Sequence, residues 1–192
     1  MSSFDARAKE WDKSQRRLAL AKAVAGAIEP HLPQNAEILD FGCGTGLVSY
    51  NLIHKASMIV GVDSSQKMRE AFAAKSPDPT RFYATEYMPD RHFDAIISSM
   101  TLHHIEDIQT LAKAFYDRLK SGGLLAVADL VTEDGTFHDH GNDGVHHFGF
   151  DPKELAKTFE NAGFRHISSE IVFTVSKHKE FPIFLLLAQK AA

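Results

Sequence analysis

The chain contains one cysteine, Cys43, and one tryptophan, Trp11, among its 192 residues. A lone cysteine excludes an intramolecular disulfide and any multi-cysteine metal centre, and it suits a reducing, cytoplasmic setting. No run of about 18 or more uncharged apolar residues occurs, so no membrane-spanning helix is expected. The N-terminal segment, with Asp5, Arg7, Lys9, Glu10 and Asp12, lacks the apolar core of a signal peptide. An excess of positive charge is also missing. Lys and Arg number 21 against 25 Asp and Glu, giving a formal charge of −4, a poor match to a polyphosphate backbone. Nucleic acid is therefore not expected as a partner, and the group Lys9, Lys13, Arg16, Arg17 and Lys22 reads as the solvated face of a helix. Repeats, low-complexity tracts and long linkers are absent as well. The expectation is one domain over residues 1–192, with enough apolar residues for a substantial core.

The apolar spacing supplies the order of elements. Leu18, Leu20, Val24, Ala27 and Ile28 recur at helical period in a segment from Phe4 to Ile28, closed by Pro30 and Pro33. Glu37 to Phe41 reads as a short buried strand running into glycines, with helical period resuming at Leu47 and Val48. A strand from Met58 to Val62 ends at Asp63, and Ser64 or Ser65 is placed to cap a helix through Met68 and Phe72. Further strands are expected at Arg81 to Ala84, Phe93 to Ser98 and Leu124 to Ala128, with a helix from about Asp107 to Leu119. Asp151, Pro152 and Glu154 form a helix start with a cap, a proline at the first position and an acid reaching back, and Gly163 forms its stop. Ser168 to Ser176 and Phe181 to Gln189 form a terminal hairpin. This order predicts an α/β, Rossmann-like three-layer sandwich with a mostly parallel seven-stranded sheet and a C-terminal antiparallel hairpin.

The chemistry concentrates in Asp40, Phe41, Gly42, Cys43, Gly44, Thr45 and Gly46, at the carboxyl end of the first strand, where open α/β sheets bind ligands. The dinucleotide fingerprint is G-x-G-x-x-G, whereas the third glycine here follows the second by two positions. An NAD-dependent oxidoreductase is thus an imperfect match, and the absence of G-x-x-x-x-G-K-[ST] excludes a P-loop. Asp63, at the end of the second strand, is placed to accept both hydroxyls of a ribose. Asp40 adds a second carboxylate, which suits a cationic ammonium and sulfonium better than a pyrophosphate.

With ILDFGCGTGLVS (38–49), IVGVDSS (59–65), FDAIISSMTLHHI (93–105) and LKSGGLLAVAD (119–129) in order, the chain resembles the class I S-adenosylmethionine-dependent methyltransferases over nearly its whole length. The resemblance implies S-adenosylmethionine as cofactor, with S-adenosylhomocysteine as product. It implies that Gly42, Gly44 and Gly46 bracket the amino-acid portion, with Asp40 ordering its ammonium and Asp63 holding the ribose. Ser64 and Met68 would border the adenine, and Ser99 the end of the fourth strand. An acid usual in the family just before Met88 and Pro89 is replaced by Ala84, Thr85 and Glu86, so Thr85 or Glu86 takes the adenine contact. The opening Phe4-Asp5-x-x-Ala8-x-x-Trp11-Asp12, within residues 1–33, resembles a lid helix of small-molecule methyltransferases. Trp11 is then either a lid residue or a core aromatic, and Cys43 either presents its backbone or offers a thiol.

Eleven histidines are present, and His138, His140, His146 and His147 share the segment 131–150, a substrate-loop insertion by its length and position. They are pocket groups including a general base, structural or exposed residues, or metal ligands. H-x-H and H-H spacing matches no recognised metal pattern, so no metal is expected. As a base, His146 is placed first and His140 second, with His104 near the acceptor. The reading is methyl transfer to a small-molecule acceptor by a monomer or homodimer, with a non-catalytic cofactor-binding protein as an alternative.

Overall fold

Period-two alternation sorts the strand residues onto two faces. In the computed structural model, which describes residues 4–139 and 141–192, Ile38, Ala95, Ile97, Leu124 and Ala126 pack on one side of the sheet. Leu39, Val60, Ile96, Leu125 and Val127 pack on the other. Both faces are covered by helices, which is why these strands read as continuous apolar runs. The strands are β1 (Ala36–Phe41), β2 (Ala56–Val62), β3 (Phe82–Thr85), β4 (Phe93–Ser99), β5 (Leu119–Leu130), β6 (Arg165–Ser176) and β7 (Glu180–Gln189). Their order is β3-β2-β1-β4-β5-β7-β6, with the first five parallel and β7 antiparallel to both of its neighbours. The expected sheet and hairpin are both present. Chain direction reverses its winding between β1 and β4, and this switch point opens the crevice at the carboxyl ends of those strands.

The helices are α1 (Ala8–Trp11), α2 (Gln15–Ile28), α3 (Leu47–Leu52), α4 (Gln66–Ala74), α5 (Ile108–Arg118) and α6 (Pro152–Asn161). Val24 and Ile28 of α2 and Leu52 of α3 join the first core face, whereas Phe115 of α5 and Phe159 of α6 join the second. Side-chain caps fix four of the starts: Ser14 for α2, Ser65 for α4, Asp107 for α5 and Asp151 for α6.

Three local expectations change. The single helix from Phe4 to Ile28 is two helices, because Asp12 is drawn to Lys75 (2.6 Å) and Thr45 while extended Ser14 caps a new helix. β5 begins at Leu119, not Leu124, since Gly122 (φ +73°) lets the strand run through an irregularity in its pairing with β4. Glu154 does not reach back to close a capping box; its carboxylate pairs with Lys157 at 2.7 Å, while Asp151 alone accepts from the Lys153 and Glu154 amides. Among the described residues, no helix is long and apolar enough to cross a membrane.

Candidate active site

After β1 the chain passes through three glycines with positive φ, Gly42 (+74°), Gly44 (+52°) and Gly46 (+85°), a conformation other residues adopt only at a cost. Gly42 and Cys43 donate their amides to the Val62 carbonyl at 2.7 and 3.1 Å, binding the loop to the end of β2. Asp63 completes the link: its Oδ2 accepts from the Gly44 amide and its Oδ1 from the Ser65 amide, both at 2.9 Å. Two amides thus fix the carboxylate at the rim of the crevice and leave it further lone pairs. Burial raises its pKa against the opposing pull of those amides and of Arg69.

Asp40 lies below this rim at 2% exposure, with Ser49 Oγ donating to its Oδ2 at 2.6 Å. Burial lifts its pKa to about 7; the Ser49 bond opposes the shift and the Asp63 charge adds to it. Cys43 is buried as well, and burial together with Asp40 and Asp63 pushes its thiol pKa up. A thiol held protonated is a poor nucleophile.

A cavity of about 810 Å³ joins this loop to the chain's N-terminal segment and to segment 131–150. Of the residues singled out from sequence, Trp11, Asp40, Gly42, Cys43, Gly44, Asp63, Ser64, Met68, Glu86, Ser99 and His104 lie on its wall. Three do not. The Gly46 position is tight for another reason, since a Cβ there would meet the Phe72 and Tyr50 rings at 2.7 Å. The Thr85 hydroxyl is turned to the Tyr87 carbonyl at 2.8 Å. His146 is exposed and off the wall; what anchors it is its amide, which donates to the His103 carbonyl at 2.9 Å. His140 lies outside the described residues.

The N-terminal segment roofs the cavity. Phe4 packs edge-on against Trp11 (6.0 Å) and His104 (5.3 Å), and the Arg17 guanidinium stacks 3.8 Å from the Trp11 ring centre. Asp5 accepts from Ser65 Oγ at 2.7 Å and Asp12 from Thr45 Oγ1, so the roof is tied to both loops that frame Asp63.

On the far side of the cavity, His104 and His138 meet groups that sequence reasoning did not select, His103, Asp129 and Lys177. His103 is buried, with its Nδ1 2.7 Å from Oδ1 of Asp129, a carboxylate with 0% exposure. Its Nε2 lies 3.3 Å from Nε2 of His138. His104 donates from Nδ1 to the Gly144 carbonyl at 2.7 Å. Burial lowers the His104 pKa, and burial followed by the charges of His103 and His104 takes His138 down to about 4. Lys177 binds the Phe137 carbonyl and Asp139 beside them. Sequence carries only a faint trace of this set, two histidines after β4 and one in the long loop, because Asp129, His138 and Lys177 meet only through folding.

A glycine cradle at the first strand, a rim carboxylate after the second and a roofed cavity between them frame the comparison with known proteins. The profile of the methyltransferase domain family matches residues 12–169, most of the chain. The chain belongs to the class I S-adenosylmethionine-dependent methyltransferases. The cofactor of this family is S-adenosylmethionine. An uncharacterised methyltransferase of Schizosaccharomyces pombe is 37% identical to this methyltransferase over 147 residues, 65% of this chain and 52% of the relative. Phosphoethanolamine N-methyltransferase 1 of Zea mays is 28% identical over 152 residues, 73% of this chain and 30% of the relative. The chain spans about half the length of the S. pombe relative and less of the maize one. Among solved structures, a Haloferax volcanii methyltransferase in complex with the Trm112 methyltransferase activator superposes with a TM-score of 0.80 at 17% identity, covering 100% of this chain and 99% of that one. Phosphoethanolamine N-methyltransferase 2 of Haemonchus contortus, with S-adenosyl-L-methionine, superposes at 0.69 with 15% identity, covering 100% and 61%. These two likenesses are likenesses of fold.

Proposed function

We propose that this methyltransferase transfers the methyl group of S-adenosylmethionine to a small-molecule acceptor bound on the histidine side of the cavity. The observation that carries the reading is the single roofed cavity joining Asp40, Gly42, Gly44 and Asp63 to His103, His104 and His138. A space roofed by Phe4 and Trp11 suits a metabolite-sized acceptor.

The residues present fit the cofactor. Gly42 and Gly44 bring backbone to the wall, Asp40 offers a buried carboxylate for an ammonium, and Asp63 offers oriented oxygens for ribose hydroxyls. Glu86 and Met68 stand where adenine would lie, Glu86 on the wall in place of Thr85. When bound, the cofactor supplies a methyl group already activated by its sulfonium. The protein contributes alignment, worth effective molarities of about 10⁵ M or more, and exclusion of water under the roof. Of the histidines proposed as base, His104 is the one on the wall, and its Nδ1 bond to a carbonyl leaves Nε2 with a free lone pair.

Labelled S-adenosylmethionine incubated with the protein and either a low-molecular-mass metabolite fraction or a macromolecular fraction tests the acceptor class. Label is expected in small products; label in protein or RNA, or none in either, would overturn the reading.

Asp40 gives a pH signature. Its folded-state pKa of about 7 exceeds an unfolded value near 3.8, so the unliganded protein loses stability as pH rises from about 4 to about 7. Binding a cationic ammonium favours the ionised form and therefore releases a proton. Affinity for S-adenosylhomocysteine is expected to be about fivefold weaker at pH 6 than at pH 7 and nearly constant above pH 8. Calorimetry in buffers of differing ionisation enthalpy measures both the affinity and the proton; equal affinity at pH 6 and 8 would contradict this role.

A further inference from the structure

We propose that His103, His104 and His138 form a binding site for a divalent first-row metal ion, of which Zn²⁺ is the best fit, on the acceptor side of the cavity. Each offers one ring nitrogen, and these nitrogens all lie within 4.8 Å of one another. Sequence spacing sets metal ligation aside for the histidines of segment 131–150, and only the fold brings His138 to His103 and His104.

The spacing of the three rings and the acceptors behind two of them carry the argument. Asp129 Oδ1 takes the Nδ1 proton of His103, and the Gly144 carbonyl, which can only accept, takes that of His104. Both rings are thereby fixed with Nε2 lone pairs. A carboxylate or carbonyl behind each ring is also the outer arrangement that orients metal-binding histidines and raises their basicity. His138 differs: its Nε2 lies 3.3 Å from the His103 Nε2 lone pair and donates to it, while its buried Nδ1 has no partner; a bound ion would replace that shared proton, leaving His138 protonated on Nδ1.

The spacing agrees. Two nitrogens each about 2.0–2.1 Å from a tetrahedral zinc ion stand about 3.3–3.4 Å apart, and the His103 and His138 Nε2 atoms are separated by 3.3 Å. The remaining spacings lie within 4.8 Å, so movements of about 1.5 Å or less close them to the same edge.

Lys177 and Arg7 bring positive charge to the His138 side of the site and oppose a cation there. Against them stand Asp139, which pairs with Lys177 at 2.8 Å, and Asp129, a fully buried negative charge directly behind His103. Three neutral nitrogens leave a fourth position open to the cavity, the arrangement of a catalytic zinc site. With His104 as a ligand and not the base, a hydroxyl or thiol of an acceptor bound at that position would lose its proton to solvent more readily, as groups on a divalent ion do.

The test uses the full chain, stripped with a chelator and titrated with Zn²⁺ by calorimetry, and with Co²⁺ by visible absorption, without cofactor or acceptor. One Zn²⁺ per chain is expected, with a Kd of about 1 µM or tighter and a tetrahedral Co²⁺ spectrum. His138→Ala and His104→Ala, both at partly exposed positions, should weaken binding by more than about 100-fold, and Asp129→Asn by about 10- to 100-fold. His54→Ala, at an exposed histidine away from the cavity, should leave it unchanged. Circular dichroism confirms that each variant is folded. Absence of 1:1 binding, or binding that survives both His138→Ala and His104→Ala, would overturn the proposal. Neither result bears on cofactor binding, which S-adenosylhomocysteine reports separately.

Discussion

Asp63→Ala is expected to remove almost all of the thermal stabilisation that S-adenosylhomocysteine confers. At 100 times its Kd, a ligand stabilises the folded state by about 2.7 kcal/mol, or about 5–10 °C in a domain of this size. A hydrogen bond to an ionised group contributes about 1.5–3 kcal/mol, so losing two ribose hydroxyl contacts costs about 3–6 kcal/mol, roughly a 10²- to 10⁴-fold loss of affinity. At unchanged ligand concentration the shift then falls to about 1 °C or less. The same substitution strips the Gly44 and Ser65 amides of their acceptor, so the unliganded variant should also melt lower. Calorimetric titration well below that melting point separates the two effects, and Asp63→Asn, which keeps the shape and one acceptor oxygen, should fall between. An affinity within threefold of the parent chain would remove Asp63 from the cofactor site.

The other large effect is expected at Gly42, where the fold has no space for a side chain. A Cβ there would stand 2.1 Å from Thr101 Oγ1 and 2.6 Å from Thr101 Cβ, at φ +74°. The left-handed backbone costs a non-glycine residue about 1–2 kcal/mol, and the overlap adds about 1–3 kcal/mol, because Thr101 is a short side chain whose Cβ cannot swing away. Gly42→Ala should therefore destabilise the chain by about 2–5 kcal/mol in urea melts and displace the loop that holds the Gly42 and Cys43 amides on Val62. The double variant with Thr101→Gly isolates the cause. It removes the overlap and leaves the backbone strain, so a coupling of about 1–3 kcal/mol is expected in the cycle. Additive losses would mean that the two residues do not compete for this space.

Local signals account for what was legible. Strand period, the helix caps and the breaks at Pro30 and Gly163 act over a few residues, so they predicted the order of elements and most of their bounds. The split at Asp12 to Ser14 was hidden because the cause, the pull of Thr45 and Lys75 on Asp12, comes from residues far along the chain. The run from Asp40 to Gly46 with Asp63 was readable for the opposite reason: one β-α-β unit builds it, and the glycines announce positive φ wherever they are placed.

The acceptor side had no such announcement. His146 and His140 stood out by their crowding in one loop, but crowding does not say where a side chain points, and the fold turns His146 to solvent. His103 and His138 are 35 positions apart and meet because the loop after β5 folds back over the turn after β4, where the His146 and His147 amides bind the His103 carbonyl. Sequence alone therefore determined the fold class, the family and the glycine loop after β1 that Asp63 binds, since contiguous residues and their backbone conformations encode all three. Tertiary structure alone decided which histidines share the cavity, which acid stands behind them and what roofs the site, because those contacts depend on the packing of segments that no local preference relates.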